Sequence, residues 1–161
     1  MRQVPDRRTA GVSLVEVVIG VTVISVLVFA AGYSIVQMVE ARERLVANTK
    51  TMYLAEEGYE MVRALRNNDW TDLESLTIGD TYYLDITTSA ITISTTPEVI
   101  DGAYRRSFVV DEVSRDSDDD IVPNGTTGSS VDPEAREVTV IVGGPAGTST
   151  LTGVLGNLYS I

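Results

Sequence analysis

Glu16 is the most unusual chemical group in this 161-residue chain. It stands directly before Val17–Val39, a run of 23 residues without a charged side chain and rich in Val, Ile, Leu and Ala. A carboxylate carried into an apolar medium costs about 3 kcal/mol even on lenient insertion scales, so one placed here is a functional hypothesis by default. The nearest basic residue upstream is Arg8, eight positions back, and no basic side chain on its own helix face can meet it. Either Glu16 lies shallow and reaches water, or its partner comes from elsewhere.

Other chemistry is sparse. The sequence has no Cys and no His, which removes disulfides, thiolate nucleophiles, the commonest general base and the usual zinc ligands. Asp116, Asp118 and Asp120 alternate as in the opening of a calcium loop, but Ile121 stands where an EF-hand needs Gly and Thr127 where it needs Glu. The run therefore reads first as a solvated acidic loop, with calcium as the alternative; no other cofactor is expected. Gly143-Gly144-Pro145-Ala146-Gly147-Thr148 lacks the Lys of a phosphate loop and reads as a turn. Asn124-Gly125-Thr126 is formally a glycosylation sequon and, before that, a tight turn. Arg105, Arg106 and Arg115 are the one basic cluster of the C-terminal part, and strand alternation puts Arg105 and Arg106 on opposite faces. With 12 basic against 23 acidic residues and a net charge of −11, nucleic acid is not an expected partner. Carboxylates abound without forming a distinguishable catalytic pair, so no enzyme is expected.

The element that carries Glu16 is a helix. At about 1.5 Å per residue the charge-free run spans a hydrocarbon core of about 30 Å. Arg2, Arg7 and Arg8 precede it and a mixed set, Glu40, Arg42, Glu43 and Arg44, follows, so the N-terminus is expected in the cytoplasm and the rest exported. The run is too long for the core of a cleaved secretory signal, and Ala30-Ala31-Gly32 is a poor cleavage site. A plain signal anchor is the simpler alternative.

The stretch Gly11-Val12-Ser13-Leu14-Val15-Glu16, opening a long apolar helix behind a short basic leader, resembles the class III signal of type IV prepilins and pseudopilins. The resemblance covers residues 1 to 40. It implies a leader, residues 1–11, cut after Gly11 by a prepilin peptidase; Val12 as the new, N-methylated first residue; residues 12–39 as a membrane and filament-core helix; and Glu16 as the assembly carboxylate. It further implies other pilin subunits, an assembly platform and an ATPase as partners, and an inner-membrane precursor that becomes an extracellular or envelope-spanning filament. The chain lacks the helix proline and the C-terminal disulfide loop of many type IVa pilins. Minor pilin and type II secretion pseudopilin stay open beside major pilin, and a membrane-tethered binding domain that never polymerises is the competing class. Gly20, Thr22, Ser25, Gly32 and Ser34 permit close helix packing, Gly32 being a candidate point of stretching, or are ordinary membrane-helix composition.

Residues 40–161 read as an α+β head. Helical spacing of Leu45, Met52, Ala55, Tyr59, Val62 and Leu65 continues the helix until Asn67-Asn68-Asp69 stops it. Thr81–Ile86, Ala90–Thr95, Arg105–Ser114, Arg136–Gly143 and Thr148–Leu155 then read as an antiparallel sheet of four or five strands, packed on the helix stripe. Trp70 is expected to close the helix–sheet junction.

Overall fold

The computed structural model describes residues 13–86 and 90–158. Helix α1 spans Leu14–Asn68, with Glu16 in its first turn and Arg66 in its last, each on the side of the helix dipole that favours it. No proline interrupts it. The chain divides into two compact units, residues 1–43 and 44–161. The first contains the apolar stretch of α1. The second contains the remainder of α1, a short helix α2 (Thr71–Glu74) and seven strands: β1 Thr81–Ile86, β2 Ile91–Ser94, β3 Glu98–Ile100, β4 Tyr104–Arg115, β5 Ile121–Val122, β6 Ser130–Gly144 and β7 Gly147–Gly156. The α+β architecture, a long N-terminal helix packed on a C-terminal antiparallel sheet, is the expected one.

The strand order is β2-β1-β4-β6-β7, with β3 and β5 also paired to β4 and every pairing antiparallel. The sheet thus exceeds the four or five strands expected, because β3 and β5 are three and two residues long, too short to show a period of two. β6 begins six residues earlier than expected. Pro133 hid that start, and the ladder absorbs it: pairing with β4 jumps from Glu112↔Arg136 to Val113↔Asp132, so no hydrogen bond is asked of the proline nitrogen.

One sheet face meets the second half of α1. β4 contributes Tyr104, Phe108 and Val110, β6 contributes Val138, Val140 and Val142, and α1 contributes Leu54, Ala55, Val62 and Leu65. The buried stripe differs from the expected one. Thr51, Leu54 and Gly58 lie inside, whereas Leu45 and Met52 are 67% and 59% exposed. At about 100° of turn per residue, Leu45 and Met52 fall on the flank of the line through Thr51, Gly58 and Leu65. Trp70 is buried just past α1, with the Arg136 guanidinium 5.9 Å above its ring, and closes the junction as expected.

The turns follow their residues. Ala103 N–H donates to the Ile100 carbonyl across Asp101 and Gly102, both at positive φ, a type I′ signature. Pro145 and Ala146 make the two-residue connection between Gly144 and Gly147, so the glycine-rich segment is the β6–β7 hairpin turn.

Candidate functional site

The site the sequence points to is the first unit's helix. Every large apolar side chain from Leu14 to Val39 is more than half exposed, from Val39 at 51% to Phe29 at 81%. The helix is long and apolar enough to cross a membrane. Its hydroxyl and amide side chains find partners within the helix. Thr22, Ser25 and Ser34 donate their hydroxyls to the carbonyls of Val18, Val21 and Ala30 at 2.8, 2.8 and 2.9 Å, and Gln37 donates to the Tyr33 hydroxyl at 3.2 Å. Back-bonding of this kind removes the cost of placing a hydroxyl in an apolar medium. Around Gly20 and Gly32 an added Cβ would meet nothing within 4 Å, so nothing in the unit itself calls for a glycine. The helix is unbroken at Gly32.

Glu16 sits at the head of this surface. Its N–H and that of Val17 donate to the Ser13 carbonyl at 2.9 and 3.2 Å, which opens the helix. Its carboxylate is exposed and forms no ion pair among the described residues. Gly11 and Val12, the expected cleavage and methylation residues, lie outside the described residues.

The head holds its charges in structural roles. The Arg106 side chain is only 1% exposed, yet it reaches four acceptor atoms on three residues. Its Nε and Nη2 meet both oxygens of Glu98 at 2.9 and 2.8 Å, and Nη1 meets Glu57 at 3.0 Å and the Leu54 carbonyl at 3.3 Å. One guanidinium therefore joins α1 to β3 and β4. Arg105 is exposed, so the two arginines do face opposite ways. Lys50 binds the Asp101 carboxylate at 2.5 Å and lies 4.8 Å over the Tyr104 ring, and the hydrogen bond with Asp101 raises its pKa.

The acidic loop is built as a turn. Asp116 Oδ1 accepts the N–H groups of Asp118 and Asp120, both at 3.0 Å, and Asp116 N–H donates to the Asp120 carbonyl at 3.0 Å. Among the described residues no three His, Cys, Asp or Glu side chains gather around a common point. Arg115 pins the base of the loop, donating to Asp132 at 2.7 Å and to the Asp119 carbonyl at 2.9 Å. Asn124, the sequon residue, uses both ends of its amide: Oδ1 accepts from the buried Ser114 hydroxyl at 2.8 Å and Nδ2 donates to the Glu112 carbonyl at 3.0 Å.

An open cleft of about 410 Å³ lies between α1, α2 and the β1–β2 hairpin, lined by Leu65, Asp72, Tyr82, Ile91 and Ile93. Asp72 is the one carboxylate lining it, and the Tyr82 hydroxyl is engaged by Thr77 N–H at 2.9 Å. The Arg106 network was not anticipated from sequence; the one signal for it was the strand alternation that sets Arg106 on the face opposite Arg105. Compared with known protein families, with curated proteins and with solved structures, the chain matches none.

Proposed function

We propose that this chain is the structural subunit of a type IV pilus or pilus-like filament. What carries the reading is the helix that begins at Leu14: apolar on all sides, its hydroxyls back-bonded, and headed by a carboxylate without a partner among the described residues. Such a surface suits two apolar surroundings in turn, lipid and a bundle of like helices. In the second unit Leu45, Val46, Met52 and Tyr53 of α1 are likewise exposed, at 59–67%.

In this reading the precursor is inserted with its N-terminus in the cytoplasm, and prepilin peptidase cuts after Gly11 and methylates Val12. The cut removes three arginines and one aspartate, a net +2, and leaves side chains summing to −13. It also creates an amine at Val12, four residues before Glu16 in the sequence. That amine, on the same chain or on a neighbour, is the cation Glu16 lacks. In the dry core of a helix bundle an unpaired charge is strongly penalised, so pairing between chains sets axial register. The assembly platform and its ATPase then move the helix from lipid into the filament, and the head coats it. A minor pilin or a type II secretion pseudopilin uses the same parts.

Mass spectrometry of the chain purified from membranes tests the proposal. The expected product begins at methylated Val12. A chain that keeps Met1 would instead be a membrane-tethered binding domain.

A further inference from the structure

The sheet of the head ends in two strands with a free edge. Among the described strands β7 pairs only with β6, and β2 only with β1. A free edge is a template for another strand, and monomeric proteins guard it with lysine, proline, bulges or inward charges. Among the described residues neither edge strand carries any of these, and β2 is blunted only by its length of four residues. β7 runs in unbroken register with β6 from Gly144↔Gly147 to Ala135↔Gly156, without a bulge or a proline. The sequence from Val138 to Ile161 has no charged residue, and neither has Ile86 to Pro97, which contains β2, in a chain that is 22% charged. The charges nearest to them belong to neighbouring elements: Asp72 and Asp85 beside β2, Glu56 and Glu137 beside β7.

The two edges also fit each other. All pairings along the path β2-β1-β4-β6-β7 are antiparallel, and the path has five strands, so β2 and β7 run in the same direction. The register Val142↔Ser149 and Val138↔Gly153 puts Ser149, Leu151 and Gly153 on the face that meets α1, which leaves Thr150 on the other. Likewise Leu84↔Ile93 puts Thr92 on the face away from α1. A second copy shifted across the sheet, without being turned over, therefore brings its β2 alongside β7 with matching faces. Two subunits whose side chains sum to −13 after the cut repel, and these two strands carry no charge of their own where they would approach.

We infer that the β7 edge of one copy receives the β2 edge of the next, extending the sheet from head to head by parallel pairing. The contact is heterologous, so it does not stop at a two-fold pair and repeats as an open array when the rotation between copies does not close a ring. A β7-to-β7 pair would be two-fold and would stop at a dimer. The choice between them rests on the filament reading above, because a polar filament repeats one contact in one direction.

The chain has no native cysteine, which allows a clean test. The full-length chain is expressed in membranes as Thr92→Cys, as Thr150→Cys and as the double variant, then treated with a short thiol-to-thiol cross-linker. The expected result is a ladder of trimers and larger species from the double variant, with neither single variant giving more than monomer. Dimers from Thr150→Cys alone would show two-fold β7 pairing and overturn the inference. So would filaments seen by electron microscopy whose double-variant subunits do not cross-link. A ladder without filaments would keep the edge contact and overturn the filament reading; neither ladder nor filament would overturn both.

Discussion

Gly58 of α1 packs directly against the side chain of Arg106. A Cβ added at Gly58 would lie 2.7 Å from Arg106 Cδ and 3.0 Å from Val140 Cγ1. Elsewhere in a helix, Gly→Ala gains about 1 kcal/mol. Here the arginine stem cannot swing aside, because its guanidinium is held by Glu98, Glu57 and the Leu54 carbonyl. Gly58→Ala is expected to destabilise the head by about 1–3 kcal/mol, the usual cost of overpacking. Thermal unfolding of the variant beside the parent checks this, and an unchanged or raised melting temperature would show that α1 and the sheet can move apart at little cost.

The two carboxylates that hold Arg106 are not equal. Glu98 is bidentate and its side chain is 15% exposed, whereas Glu57 makes one contact and is 39% exposed. Removing one partner of a buried pair leaves the other charge uncompensated, at about 3–5 kcal/mol, while a solvated pair contributes about 1 kcal/mol or less. Glu98→Ala should therefore lower stability by about 3 kcal/mol and Glu57→Ala by about 1 kcal/mol. Denaturant unfolding separates them; equal losses would mean that Glu57 carries as much of the buried charge as Glu98.

That asymmetry marks where the sequence stops being informative. The helix, the strands β1, β4 and β7 and the tight turns are legible because each rests on residues close together in the chain. Glu16 is legible because a charge stands out at the rim of a charge-free run. Alternation along β4 puts Arg105 and Arg106 on opposite faces but does not say which face is inward. Its partners decide that, and Glu57 lies 49 residues away on another element. The burial of Gly58 is hidden for the same reason: its neighbour Val140 is distant in sequence. β3 is short, but it matters because Glu98 stands opposite Arg106 in its register.

Acid should weaken the base of the β4–β5 loop. The hydrogen bond from Arg115 holds the Asp132 carboxyl below its ordinary range, with help from the Glu134 N–H and against slight burial. A carboxyl depressed in the folded state adds stability above its unfolded value of about 3.9, and that stability is lost as pH falls through the lower folded value. Asp69, depressed by the hydroxyl and N–H of Thr71, contributes with the same sign. Asp132→Asn is thus expected to melt below the parent at pH 7 and to converge with it as pH falls through the lowered value of the Asp132 carboxyl. Parallel melting curves across that range, with a constant gap, would mean that the Asp132 charge does not matter to folding.

Glu16→Ala tests the filament reading where it is most exposed. The substitution leaves the apolar helix and the Gly11-Val12 junction unchanged, so membrane insertion and N-terminal processing should proceed as in the parent. What it removes is the carboxylate that would meet the Val12 amine in a dry bundle. Leaving that amine unpaired costs about 3 kcal/mol, equivalent to about a hundredfold loss of incorporation into filaments. Quantifying variant and parent subunits in filaments sheared from cells that express both measures this, with the membrane pool of each as the reference. Equal incorporation would show that Glu16 merely reaches water at the membrane surface, and the register of the helices would then have to come from their apolar packing alone.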